Sequence, residues 1–217
     1  MQPKESLRKI VVTGASGGIG SAIVSALKSA SYQPIGISHA DADLSSHAAL
    51  EGICAAIKET HRTVEWAIFS HGFIDAEKDF LREDDENIEA TVRINTLSLM
   101  YMTRLLLPHI EKGIIFISST AGIFPSGRHA VYSASKAAVN AFSQALAKSL
   151  PAQTFIAICP GPTNTAMRRK VADDADTSQS PEVVAKVVAR IALGTSPYKS
   201  GDIVIVRDGE DSRHAGL

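Results

Sequence analysis

The chain has 217 residues, 45% of them apolar and 21% charged, with a formal net charge of −1. That length and apolar share suit one globular domain with a sizeable core rather than two small ones. The near-neutral balance exerts no long-range pull on nucleic acid or an anionic membrane. Two cysteines, Cys54 and Cys159, lie in apolar contexts and imply neither a disulfide framework nor a metal site. The opening residues, Met1 to Lys9, hold no apolar core of a leader, and no apolar run approaches the roughly 18 residues of a membrane span, so a cytoplasmic protein is expected.

Short apolar runs alternate with helical patterns, which predicts an α/β fold with a doubly wound parallel sheet of about six strands, helices on both faces, and a single domain over 1–217. In chain order, a strand is expected near 9–13, followed by the glycine turn Thr13-Gly-Ala-Ser-Gly-Gly-Ile-Gly20 and a helix near 18–30. Gly14 and Gly18 let the backbone turn tightly and approach a pyrophosphate. Gly20 lets the helix pack closely on the sheet, and the helix N-terminus offers N–H groups and a positive dipole end to phosphate. A strand near 34–38 and a helix near 46–60 come next, separated by only a few residues, Ser38-His-Ala-Asp-Ala42, before Asp43-Leu44.

A third strand near 64–70 ends in Phe69-Ser-His-Gly72, where His71 reads as a satisfied histidine at a strand end rather than a proton carrier. A long helix is expected over 83–111, and within it Asn95 sits among Ile88, Val92, Leu97, Leu99 and Met102. An amide on such a face needs partners, either in the core or in a polar network. A strand near 113–118 leads to Ser119, whose hydroxyl leaves the strand end where a ligand crevice would form. The helix near 131–149 carries Tyr132 and Lys136 four residues apart on one face. An ammonium there would favour the phenolate and make a general acid of the tyrosine, although a tyrosine beside a snorkelling lysine is by itself a common surface pattern. Strands near 154–159 and 202–206 flank a polar stretch, 168–179, that is either a mobile lid or a solvated loop, and a helix near 181–193 opened by Ser180-Pro181-Glu182.

Together these residues resemble the short-chain dehydrogenase/reductase family, over nearly the whole chain. Thr13 to Gly20 resembles that family's cofactor turn, Asp43-Leu44 the pair flanking the adenine, and Pro160-Gly-Pro-Thr-Asn-Thr165 the turn that holds the nicotinamide. Asn95, Ser119, Tyr132 and Lys136 match its catalytic tetrad in order and approximate spacing. The resemblance implies a Rossmann-like domain with a short lid at about 166–180. It also implies an NAD(P)(H)-dependent oxidoreductase acting on a carbonyl or secondary alcohol, with Tyr132 as general acid/base and Ser119 beside the reacting oxygen. Lys136 would lower the tyrosine's pKa and bind the nicotinamide ribose, and Asn95 would hold a water linking Lys136 to solvent. Cofactor contacts are expected from Gly14, Ser16, Gly18, Ile19, Gly20, Ser38, His39, Asp43, Leu44, Gly72, Tyr132, Lys136, Pro160, Gly161, Thr163 and Thr165, and no metal is expected.

The chain departs from the family where Ser70 and His71 replace the usual Asn-Ala, and where a helix and a strand after the second strand are missing or shortened. Ser38 and His39 exclude no 2′-phosphate and His39 can donate to one, while Asp41 weighs the other way, so the balance tilts to NADP(H) over NAD(H). The expected partner is a small-molecule carbonyl or alcohol, with neither nucleic acid nor membrane. Its pocket is expected to be bounded by Ile123, Phe124, Pro125, Arg128, His129 and Met167. Arg128, or Arg168 and Arg169, would suit an acidic substrate unless they are ordinary exposed arginines. A homodimer or homotetramer through the helices at 83–111 and 131–149 is expected by resemblance. A second reading is a dinucleotide-binding sensor that kept the fold without turnover, and a third is a lyase or epimerase, disfavoured by the short stretch after the nicotinamide turn.

Overall fold

The computed structural model describes residues 8–77, 79–125 and 127–214. The opening stretch, on which the cytoplasmic expectation partly rests, lies mostly outside them. Six strands run parallel: β1 (Arg8–Thr13), β2 (Tyr32–Ile37), β3 (Val64–Phe69), β4 (Ile110–Ile117), β5 (Thr154–Pro160) and β6 (Ile203–Arg207). A seventh, β7 (Glu210–Arg213), pairs antiparallel with β6, and the sheet order is β2-β1-β3-β4-β5-β6-β7. The parallel set is the one expected, and β7 is an addition. Its cause is local: Asp208 and Gly209 both take positive φ, 53° and 87°, between paired Arg207 and Glu210. Asp-Gly in that conformation is the turn whose twist matches a two-residue hairpin.

The strands read as near-continuous apolar runs because both faces of the sheet are covered. Alternate residues part company. Ile10 and Val12 pack with Ile23 and Leu27 of α1 (Gly18–Ser29) and Val184, Val188 and Ile191 of α7 (Pro181–Leu193). Val11 turns to the opposite face, with Leu50 and Cys54 of α2 (His47–Thr60), Leu99 and Met102 of α4 (Ser98–Leu106), and Val139 of α5 (Ala130–Ser149). On that second face Phe69, Phe116 and Phe142 stack edge to face in series, with centroids 5.8 Å apart at each step. Such pairs add about 0.5–1.5 kcal/mol each beyond the area they bury.

Where a single helix was expected over 83–111, α3 (Asp85–Val92) passes into a π-helical turn, Arg93–Leu97, before α4 resumes. A 3-10 turn at Leu107–His109 containing Pro108 then ends the helix, and β4 starts three residues earlier than predicted. The polar stretch expected as either a lid or a solvated loop holds α6 (Ala166–Val171) and a 3-10 turn at Ala175–Thr177. Gln179 pins its far end, donating to Val206 O (2.9 Å) and Thr163 Oγ1 (3.2 Å).

The strand order reverses at β1, with β2 on one side and β3 on the other. Ligand crevices of open α/β sheets form beyond the carboxyl ends of strands at such a point. The glycine turn after β1, Ser70–Gly72 after β3, Ser118–Ser119 after β4 and the turn after β5 all emerge there.

Candidate active site

At the end of β1 the chain turns at Gly14, φ +66°, where a side chain's Cβ would lie 2.8 Å from the His71 nitrogen. Only glycine fits so close an approach of two backbones. Four residues on, a Cβ on Gly18 would meet Thr165 Cγ2 at 2.6 Å, so the two predicted halves of a cofactor cradle touch. The cap residue of α1, Gly17, provides no side-chain hydrogen bond to the helix's first N–H groups. A tight bare turn leading to uncapped backbone donors fits a pyrophosphate well. Ser16 is exposed in the turn and Ile19 is half-buried at its inner side, lining the cavity described below.

Across the crevice, the Tyr132 and Ser119 hydroxyls hydrogen-bond. Ser119 Oγ accepts the Ala121 N–H at 3.1 Å and keeps its own proton to donate. Lys136 lies one helical turn on, 3% exposed, and its ammonium donates to the Ile117 carbonyl (3.1 Å) at the end of β4. The expected depression of the tyrosine by this lysine is not what the geometry produces. Burial pushes the Tyr132 phenol above its ordinary value, and the Ser119 bond draws it only partly back. The same burial pushes Lys136 down to about 8. Desolvation outweighs attraction here because the ammonium is tied to a carbonyl and stands 5.8 Å from the phenol ring's centre.

Asn95 joins the same neighbourhood by way of the π-helical turn. Its Oδ1 accepts from Phe73 N (2.7 Å), and its Nδ2 donates to Phe73 O (2.8 Å) and Ser135 Oγ (3.0 Å). Ser135 in turn donates to the Tyr132 carbonyl (2.7 Å), a link that sequence reasoning missed. Its position next to Lys136 on a polar face was the available signal. Asn95 therefore clamps the segment after Gly72 to α5. A Cβ on Gly72 would sit 3.3 Å from Asn95 Oδ1 and 3.4 Å from Lys136 Nζ, so the glycine marks where the three groups converge.

His71 is buried between two hydroxyls, with Nδ1 2.6 Å from Thr13 Oγ1 and Nε2 2.7 Å from Ser98 Oγ. Ser98 spends its proton on the Ile94 carbonyl (2.6 Å), so Nε2 carries the imidazole hydrogen and Nδ1 accepts from Thr13. Burial, aided by the nearby Lys136 charge, lowers its pKa to about 3, in keeping with the satisfied histidine expected. The folded form binds the proton less readily than the unfolded chain, so the stability this ring contributes is intact above about 6.5 and is lost as pH falls toward 3. Acid titration followed by circular dichroism should show stability falling by up to about 1.4 kcal/mol per pH unit in that window. A His71→Gln variant should flatten the slope, and an unchanged slope would remove His71 as its source.

The remaining predicted contacts divide. Thr163 is buried, donating to Gly161 O (2.9 Å), and Thr165 Oγ1 accepts the Arg168 N–H (3.1 Å) as the cap of α6. Asp43 turns away to accept from Ser45 N (2.9 Å) and Oγ (2.7 Å), while Leu44 is buried and His39 is exposed. Ser38, which by itself excludes no 2′-phosphate, is already engaged: its N–H and its hydroxyl both donate to Asp41 Oδ2, at 2.7 and 2.6 Å.

A cavity of about 220 Å³ lies over the hydroxyl pair, walled by Ile19, Pro160–Thr163, Arg128, His129, Met167 and Arg168. Of the expected boundary, Ile123, Phe124 and Pro125 do not line it. Ile123 packs with Ala157, Cys159 and Ile203, and Phe124 is 60% exposed against the His214 ring. Arg168 lines the cavity but pairs with Asp174 at 2.5 Å. Cys159, beneath the site, is pushed up to about 11 by burial and stays a thiol. Among the described residues no group of His, Cys, Asp or Glu is placed to hold a metal, and no helix is long and apolar enough to cross a membrane.

This fold and this constellation define a dinucleotide-fold oxidoreductase, and comparison with known proteins agrees. The family model of the short chain dehydrogenases matches residues 33–176, and the chain belongs to that family. It is 25% identical to the 3-oxoacyl-[acyl-carrier-protein] reductase MabA of Mycobacterium tuberculosis, over 95% of this chain and 94% of that one. Against human 17-beta-hydroxysteroid dehydrogenase type 3 it is 36% identical over 121 residues, which span 53% of this chain and 39% of that protein. Among solved structures, a 3-ketoacyl-(acyl-carrier-protein) reductase from Brucella melitensis complexed with NADH superposes with a TM-score of 0.84 at 19% identity, covering 92% of this chain and 96% of the other. A short chain dehydrogenase from Burkholderia cenocepacia in complex with NADP gives 0.78 at 21% identity, covering 92% and 96%. Proteins of this fold thus bind either nicotinamide dinucleotide, and the relatives are dehydrogenases and reductases.

Proposed function

We propose that the chain interconverts a carbonyl compound and its alcohol with NAD(P)(H), Tyr132 moving the proton. The observation that carries this reading is the paired Tyr132 and Ser119 hydroxyls, facing a cavity beside the turn after β5 and backed by the Lys136 ammonium. When bound, the nicotinamide supplies or accepts the hydride. Gly14, Gly18, Gly20 and the first N–H groups of α1 would hold the pyrophosphate. Tyr132, Lys136, Thr163, Thr165 and the backbone at Pro160–Gly161 would lie along the nicotinamide ribose and ring.

In the reductive direction Tyr132, a phenol protonated at neutral pH, releases its proton to the substrate oxygen as the carbon of the C=O bond takes the hydride and the bond's π pair becomes the new O–H bond. Ser119 donates to the same oxygen and steadies its developing charge. Lys136 stabilises the phenolate left behind, and Asn95, through Ser135 and Phe73, fixes the distance between α5 and the segment carrying Gly72. Residues 166–180 act as a short lid on the 1–217 domain. The chain assembles as a homodimer or homotetramer through α4 and α5, and works in the cytoplasm on a small carbonyl compound with some apolar surface.

The test is a binding titration with NADH and NADPH, followed by a panel of aldehydes and ketones monitored through nicotinamide absorbance. Oxidation of the reduced cofactor on at least one carbonyl is expected. Tight binding without turnover on any of them would favour a sensor role, and failure to bind either dinucleotide would end both readings.

A further inference from the structure

The corner after β2 carries a feature the hydride reading does not use. Ala15, in the glycine turn, donates its N–H to the Ile37 carbonyl (3.1 Å), and a Cβ on Gly36 would lie 2.9 Å from Ala15 Cβ. The first residue past β2, Ser38, therefore stands directly beside the dinucleotide turn. A backbone N–H and a hydroxyl projecting together from this corner make a two-donor site for an anion. Asp41 already fills it: one carboxylate oxygen accepts both donors, at 2.7 and 2.6 Å, across a turn closed by Asp41 N–H to the Ser38 carbonyl (3.1 Å). These two bonds also hold the Asp41 carboxyl below its ordinary range.

The surroundings offer a second anion nothing in return. Neither 13–20 nor 36–46 contains a lysine or an arginine. The charged groups of the corner are Asp41 and Asp43, and the one basic side chain, His39, is exposed and beside Asp43. The missing helix and strand make this possible, because the short loop brings an aspartate back onto the end of β2 instead of carrying the chain away. An adenosine 2′-hydroxyl can donate to that carboxylate, whereas a 2′-phosphate would meet negative charge with its donors already engaged.

We propose that Asp41 is a built-in occupant of the 2′-phosphate position and makes this chain select NAD(H) over NADP(H). The proposal rests on the dinucleotide reading above and reverses the preference that Ser38 and His39 give when read as free side chains. Dissociation constants for NADH and NADPH, measured by calorimetry on the full chain, test it without turnover. Wild-type protein should bind NADH about 10- to 100-fold more tightly. Asp41→Asn should narrow that ratio about tenfold, chiefly by tightening NADPH, and Asp41→Ser reads the same ratio with a second side chain if the first variant folds poorly. Equal or tighter NADPH binding by the wild type, or a ratio within twofold of wild type in the variants, overturns the proposal. Binding of neither cofactor would instead remove the dinucleotide reading, and this inference with it.

Discussion

Tyr132→Phe is expected to bind nicotinamide dinucleotide about as tightly as the parent and to turn over about 10²- to 10⁴-fold more slowly, the usual contribution of a positioned acid or base. The substitution removes one oxygen from a half-buried ring and leaves its packing in place. Ser119 keeps its bond from Ala121, so the neighbouring turn has no reason to move. Steady-state rates at saturating cofactor, with binding measured separately, distinguish lost chemistry from lost affinity. Retained turnover would take Tyr132 out of the mechanism.

Lys136→Met is expected to separate activity from stability in opposite directions. Catalysis should fall by orders of magnitude and dinucleotide affinity should weaken, because the ammonium beside the phenol is gone. Stability at neutral pH should rise. Burial lowers the lysine to about 8 from an ordinary 10.5, so the folded chain carries a penalty that is complete below pH 8 and fades as pH climbs toward 10.5. A gap of that size corresponds to about 3 kcal/mol, reduced by the loss of the bond to the Ile117 carbonyl. Thermal melts of both proteins from pH 7 to 10 should therefore converge as the parent gains stability. A variant less stable than the parent at pH 7 would mean that Lys136 serves the fold rather than strains it, and such trade-offs are common where a charge is held for function.

What the sequence discloses depends on how local each determinant is. The glycine turn, the apolar strands and the Tyr132–Lys136 spacing are short-range patterns, and six strands and the outlines of five helical regions follow from them. Ser119, Tyr132, Lys136 and Asn95 meet because strand ends and helix starts share one side of a parallel sheet, which topology alone dictates. The misses are of two kinds. Some are local signals: Asp208-Gly209, just past the strand expected near 202–206, is a hairpin turn in plain view. Others need coordinates. That Asp41 reaches back to Ser38, that Asn95 spends its amide on Phe73, and that desolvation outweighs the Lys136 charge at Tyr132 all depend on distances and burial that no spacing rule contains. Proximity in sequence to the active strand suggests Ile123 and Phe124 for the pocket wall, but the 3-10 turn at Thr120–Gly122 carries the chain out of it.

The π-helical turn at Arg93–Leu97 holds one surplus residue within a continuous rod, and each residue of a helix advances its neighbours by roughly 100° around the axis. Removing a single residue there would let the rod rewind into an even spiral. The half bearing Leu99 and Met102 would stay anchored in the core, while everything upstream swung round by more than a quarter-turn. The amide that grips Phe73 would then face elsewhere without any change in its own identity. Placement of that group is thus encoded in a count of residues, which makes a one-codon deletion at this spot more damaging to the chemistry than most substitutions within it.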